Sequence, residues 1–513
     1  MIDFLQSHIL SIILFTPVAG AVIVLLIPAD RVRAIRWAAF LVSLIPLAFS
    51  IWLWAAYNAG GPGYQFVENA VWYSAIGSRY HLGVDGISVA MVLLTTLLAP
   101  LALLISWSVK ENVRAYMALF LLLETGMLGV FLSLDLLLFF VFWEIGLVPM
   151  YFLINQWGSA NRTYASFKFL IYTMAGSLGL LLAIQLIGLA SGTFDLVEIT
   201  QRWTSLNQPL TVLGLPVQVP IGTVKTVAFW AFVLAFAIKV PVWPFHTWLP
   251  DAHSEAPTAG SMILAGVLLK LGAYGFLRLV LPLYPEQAHA YAWVLGLLAV
   301  LAIVLGAFSC WAQDDFKRLV AYSSVNHMGF VVLGVAAAAQ AQGTGNTADG
   351  VLAVNGAVLQ MFNHGLSAAG MFLLVGVIYE RTHTRDLKAY GGLFPLAPVY
   401  GGILLFTAMA SLGLPGLNGF ISEFLVVRGA WPIFTLYTAL GMIGLLITGA
   451  YILKGLRMVL HGPMNEAWAG HDLEIRAREV VAIAPLMVLM LSIGVWPSWI
   501  LSVINATVAR LFG

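Results

Sequence analysis

Fourteen runs of about 20 apolar residues, parted by short clusters of charge, proline or glycine, occupy most of this 513-residue chain. Each is long enough to cross a hydrocarbon layer of ~30 Å as a helix. They fall near residues 9–28, 35–57, 86–108, 115–133, 136–157, 166–190, 224–248, 256–280, 290–311, 318–340, 350–379, 396–428, 432–460 and 480–511. A bilayer offers no water to backbone groups, so such segments are stable there only as helices whose peptide bonds pair within the segment. Hydrophobic residues make up 61% of the chain and charged ones 9%, with a mean hydropathy of +0.94, which leaves too little polar surface for a soluble domain. The expected fold is an all-α polytopic membrane protein.

Composition also excludes several kinds of function. A net charge of +1 gives no basic surface for nucleic acid. The single cysteine, Cys310, permits neither an intrachain disulfide nor a thiolate-held iron–sulfur cluster. The motifs GxGxxG, GxxxxGK[ST], HExxH and CxxC are absent, so no cofactor and no metal is expected in this chain. The first run has no Lys or Arg before it and no small-residue cleavage site after it, which marks a retained span and not a signal peptide. With fourteen spans, fifteen Lys and Arg fall on one side, six on the other and three within spans. The excess of positive charge marks the cytoplasmic side, which places both termini on the opposite, non-cytoplasmic side.

Two spans carry breakers at membrane depth: Pro241 and Pro244 in the seventh, and the run Gly413-Leu414-Pro415-Gly416-Leu417-Asn418-Gly419 in the twelfth. Proline removes a donor and crowds the preceding turn, so both helices must unwind. Paired interruptions of this kind accompany inverted-repeat transporters. If helices 4–8 form one unit and 9–13 the next, the broken helix is fourth in each, and five being odd, the second unit is inverted. The expected organisation is one membrane domain over 1–513: three N-terminal helices to about 108, a first repeat over 115–280, a second over 290–460, and a last helix over 480–511. The polar insertions 58–85, 191–223 and 461–479 are expected as loops.

Ionisable groups inside these runs are the functional candidates, because a lysine at the centre of a bilayer costs ~3 kcal/mol or more. Lys239 stands 14 residues after Lys225 and 12 before Asp251, about 20 Å from either polar end at ~1.5 Å per residue. Lys270 is similarly deep, 15 residues after Glu255, and Glu144 is the sole charge in LLLFFVFWEIGLVPMYFLI. A carboxylate beside a buried lysine favours its charged form, so weakening that pair would release the proton. His327 and His364 lie in two further apolar helices, and imidazole titrates near neutral pH. Glu423 is five residues before Arg428, either a surface ion pair with it or an exit site. Glu124, Asp135, His246, Asp251 and His253 are auxiliary candidates; Asp251, His253 and Glu255 do not have metal-site spacing.

Glu144 in FWEIGLVPMY, the long motif KVPVWPFHTWLPDAHSEAPT from Lys239, Lys270 in GVLLKLGAYG and SLGLPGLNGFISEF around Glu423 resemble the antiporter-like membrane subunits of respiratory complex I. Those subunits are related to the subunits of multi-subunit cation/proton antiporters. The resemblance runs from about residue 85 to 460. It implies fourteen helices with two inverted five-helix units. Glu423 on the broken twelfth helix, where other types carry lysine, is similar to the M-type; the end of the chain at Gly513, with no long lateral helix, sets it apart from the L-type. By this resemblance Glu144 and Lys239 are a coupled pair, Lys270 the central relay, His327 and His364 its neighbours and Glu423 the terminal site. It further implies proton translocation in a prokaryotic plasma membrane, beside L- and N-type neighbours and lipid, with NADH, FMN, iron–sulfur clusters and quinone all in other subunits. The alternatives are a subunit of a cation/proton antiporter or of a membrane-bound hydrogenase-type complex, and a structural spacer.

Overall fold

The computed structural model describes residues 6–211 and 218–512, and thirteen of the described helices are long and apolar enough to cross a membrane. In chain order the spans are α1 (Ile9–Leu26), α2 (Val32–Ala56), α3 (Gly86–Ile105), α4 (Val113–Leu132), α5 (Leu136–Trp157), α6 (Arg162–Ser191) and α7 (Ile221–Lys239, then Trp248–Glu255). They continue as α8 (Thr258–Leu283), α9 (Ala292–Trp311), α10 (Phe316–Ala341), α11 (Thr347–Thr382), α12 (Pro398–Leu412, then Asn418–Ala430), α13 (Thr435–Leu460) and α14 (Ala477–Val495). The broken α12, neither of whose pieces alone spans a bilayer, makes the fourteenth. Both expected breaks occur, over residues 240–247 and 413–417. One expectation changes: the run over 480–511 is not continuous, because Pro497 ends α14 and a separate helix, Ser498–Phe512, follows.

The spans sort by exposure. The most apolar stretches of α8 and α11 are wholly buried and that of α10 nearly so, whereas fewer than half of the residues in those of α1, α2, α6, α13 and α14 are buried. Outward residues such as Leu182, Leu189, Leu446 and Val495 are apolar and exposed, as expected of helices bordered by lipid or by other membrane helices.

Two of the three polar insertions are structured rather than looped. In 58–85, β1 (Gln65–Tyr73) pairs antiparallel with β2 (Ser78–Val84), and the turn is closed by Gly77 at φ +73°, a conformation that glycine adopts without steric cost. In 191–223, a short helix (Leu196–Ser205) buries Leu196, Ile199 and Trp203, and β3 (Leu210–Thr211) pairs with β4 (Gln218–Val219). Residues 212–217 of that insertion, like Gly513, lie outside the described residues.

Two short backbone clips recur. Asp135, before α5, bridges Asp195, after α6, through Leu136 N–H to Phe194 O (2.9 Å) and Leu196 N–H to Leu134 O (2.8 Å). Asp315, before α10, bridges Asp386, after α11, through Phe316 N–H to Arg385 O (2.8 Å) and Leu387 N–H to Asp314 O (2.7 Å). All four aspartates also accept a hydrogen bond from the first N–H groups of the helix that follows, as side-chain caps do. The first clip is locked further by His81 Nδ1, 2.6 Å from Asp195 Oδ2. Burial alone would raise the Asp195 carboxyl, but the hydrogen bond and charge of His81 hold it below the ordinary value. For Asp135 burial wins, and its carboxyl is raised despite hydrogen bonds from Arg79, Leu138, Ser78 and Leu137.

Candidate functional site

The first piece of α7 stops at Lys239 because Pro241 and Pro244 cannot donate to the helical ladder. The chain leaves in a wide turn, Val242 N–H donating to Ala237 O at 2.8 Å, and the freed carbonyl of Ile238 accepts from Trp248 Nε1 at 2.9 Å. Lys239 is 2% exposed. Its ammonium faces the Trp143 ring at 5.2 Å and the Phe169 ring at 5.8 Å, cation–π contacts that offset some of the lost hydration. Glu144 follows Trp143 at a joint of α5, where Pro149 lacks the N–H that would meet the Ile145 carbonyl. The carboxylate acts electrostatically on Lys239, yet its Oε1 has no hydrogen-bond partner and no ion pair joins the two residues. They form a pair that is not closed.

Lys270 is wholly enclosed on α8, between two segments wound as π-helix, Leu264–Leu268 and Phe276–Val280. Such wide turns are frequent at functional positions. The ammonium donates to the Ala265 carbonyl and to His364 Nδ1, the latter at 2.7 Å. A lysine donor at Nδ1 places the proton of neutral His364 on Nε2, which has no protein partner. The His364 and His327 rings are 5.7 Å apart. Both border a small cavity with Ser323, Ser367 and Ser411, with room for about one water molecule.

From His327 the row continues without a gap. Its Nδ1 lies 2.8 Å from Glu423 Oε1, which also accepts from Gln360 Nε2 at 3.2 Å. Ser422 donates to Gln360; Asn363 donates to Ser422 Oγ at 3.0 Å and to Asn418 O at 2.7 Å. Glu423 is 3% exposed, and Arg428 pairs instead with Asp349 at 3.4 Å. The surface pairing of Glu423 with Arg428 is therefore not formed. At the α12 break, Gly413 sits at φ +84°, and a Cβ there would lie 3.2 Å from Glu423 Oε2. The break thus makes room for the carboxylate.

The structure brings Lys270, His364, His327 and Glu423 into one hydrogen-bonded or touching row and holds Glu144 and Lys239 as a separate open pair. The auxiliary residues divide. Glu124 is fully buried with neither oxygen paired. His253 lies flat on Phe372, ring centroids 4.4 Å apart, with neither ring nitrogen paired. His246 packs near Tyr322 at 6.0 Å. Asp135 belongs to the clip at the end of α5, and Asp251 pairs with Lys168 (2.7 Å) and Arg318 (3.0 Å), both away from the row. Gln360, Asn363 and Ser422 escaped the sequence analysis, although Gln360 stands one helical turn before His364, a spacing that puts it on the same face of α11.

A buried lysine and a buried glutamate, each bonded to one of two neighbouring histidines, a second buried lysine near another glutamate, and two helices unwound beside them mark a polytopic ion-translocating subunit of the antiporter-like class. Residues 133–448 match the family described as NADH:quinone oxidoreductase/Mrp antiporter, TM, and the chain belongs to that family. It is 42% identical to NADH-quinone oxidoreductase subunit M of Rhodobacter capsulatus over 99% of this chain and 96% of that one. It is 37% identical to NADH-ubiquinone oxidoreductase chain 4 of Marchantia polymorpha over 98% and 96%. Among solved structures it resembles a chain of respiratory complex I from Thermus thermophilus with bound NADH, with a TM-score of 0.84, 29% identity, and 98% and 100% coverage.

Proposed function

We propose that this chain is an M-type subunit that moves protons across a prokaryotic plasma membrane, driven by NADH oxidation and quinone reduction in partner subunits. The carrying observation is the row of two bonded pairs, Lys270–His364 and His327–Glu423, whose imidazole rings lie 5.7 Å apart beside a cavity with room for about one water molecule. A charge change arriving at Glu144 alters its hold on Lys239, and the proton that Lys239 gives up passes to Lys270, the two histidines and Glu423. The buried, unpartnered Glu124, His253 and His246 are auxiliary positions along this route. FMN, iron–sulfur clusters and quinone belong to other subunits, and L- and N-type subunits and lipid are the neighbours. The Lys/Arg excess supports termini on the non-cytoplasmic side. The matching clips, one before α5 and after α6, the other before α10 and after α11, support two equivalent five-helix units that stand inverted in the membrane.

The test is proton pumping by an assembled complex carrying Lys239→Ala. A reduced proton yield per NADH is expected; the wild-type yield overturns the reading. Cation exchange in vesicles with no electron donor would instead favour an antiporter role.

A further inference from the structure

The second piece of α7, Trp248–Glu255, is eight residues long, yet charged groups from both five-helix units converge on it. Asp251 is forked: Oδ2 pairs with Lys168 of α6 and Oδ1 with Arg318 of α10. At the C-terminal end, Arg385 from the α11–α12 connection donates to Ser254 O and lies 3.9 Å from Glu255, and Lys317 of α10 donates to Ala256 O. Those cations complement the negative end of the helix. On the other flank Glu255 accepts from Asn161 N–H at 2.9 Å, and its carbonyl accepts from Ser159 N–H at 2.9 Å. At the N-terminal end Trp248 holds the carbonyl of Ile238, the residue before Lys239, and Thr247 Oγ1 lies 2.7 Å from Tyr172 Oη.

The unwound 240–247 segment carries no continuous helical ladder between the two pieces, so these polar contacts and the packing of Trp248, Leu249 and Ala252 together set where the short helix sits. One cation would suffice to cap it. Two are supplied there, Lys317 and Arg385, both from the second unit, while Arg318 of the same unit and Lys168 of the first hold Asp251. Lys317 and Arg318 start the helix that carries His327, nine to ten residues on, or about 15 Å along α10.

We infer that Asp251, through Arg318 and Lys168, is a positioning residue that makes Lys239 respond to the second unit without itself carrying protons. A shift of α10 that accompanies a change at His327 displaces Arg318 and Lys317, drags the short helix by Asp251 and its terminal carbonyls, and reaches Lys239 through Trp248 and Ile238. This rests on the proton-translocating reading above.

The test compares assembled complexes in proteoliposomes carrying Lys239→Ala, Arg318→Gln, both together, and Asp251→Glu. Arg318→Gln is expected to lose the same fraction of the proton yield per NADH as Lys239→Ala, the double variant to lose no more than either, and Asp251→Glu to keep the wild-type yield. If Arg318→Gln prevents assembly, Asp251→Asn, which removes the charge that Arg318 grips, takes its place with the same expected loss. A wild-type yield in these clamp variants, additive losses in the double variant, or a defect in Asp251→Glu equal to that of Arg318→Gln overturns the inference while leaving the function standing. A wild-type yield in Lys239→Ala overturns both.

Discussion

Lys270 and His364 meet directly between α8 and α11, Nζ to Nδ1 at 2.7 Å, both enclosed by protein. The lysine thus has a neutral acceptor where a carboxylate would trap its charge, and a proton can leave it without breaking a closed ion pair. Replacing His364 by Ala should lower the proton yield per NADH severalfold in the part carried by this subunit, while NADH oxidation to an artificial acceptor stays normal. Pumping and acceptor assays on the same membranes check this.

Gly413 supports Glu423 by being glycine. A Cβ at φ +84° costs about 1–2 kcal/mol in backbone strain and would crowd Glu423 Oε2. Gly413→Ala should lower the thermal midpoint and also the proton yield, whereas Gly402→Ala, in a helix where a Cβ meets nothing within 4 Å, should leave the yield unchanged and the midpoint equal or higher.

Arg278 and Asp85 form an ion pair whose side chains are 3% and 5% exposed, and Arg278 also donates to the Tyr64 hydroxyl at 3.1 Å. Removing one partner strands the other in the interior, which costs about 3–5 kcal/mol. Asp85→Asn and Arg278→Met should each destabilise by that order and the double variant by less than their sum. A double-mutant cycle on denaturation midpoints measures the difference.

The Asp195–His81 contact gives a pH dependence of definite sign. The Asp195 carboxyl is lowered by His81, so its contribution is complete above the ordinary carboxylate value near ~3.9 and is lost as pH falls through the lowered one. The stability gap between wild type and Asp195→Asn should therefore be present at pH 5 and close as pH falls below about 4. Thermal midpoints across that range test it; a gap that widens on acidification contradicts it.

The breaks in α7 and α12 were legible because proline and glycine act locally, and the buried lysines because their hydration cost stands out in an apolar run. The fates of Glu423 and Asp251 were not, since a carboxylate five residues from an arginine reads as its partner until the fold brings His327 or Lys168 and Arg318 nearer. The hairpin over 65–84 was hidden by polar residues that mimic a loop. The expected end of the eighth span at residue 280 fell short, because α8 continues to Leu283 and buries Arg278 within it. Glu144 and Lys239, a coupled pair by the resemblance, make no hydrogen bond or ion pair with each other, and Trp143 faces the ammonium.

The two π-wound segments that flank Lys270 have a rotational consequence. Each accommodates one residue more than an α-helical turn would, and one residue corresponds to about 100° about the axis. The stretch Leu269–Gly275 is therefore indexed independently of the rest of α8, like a dial between two collars. Deleting a single residue within 264–268 would swing the ammonium roughly a quarter turn away from His364 while leaving every side chain of the row chemically intact.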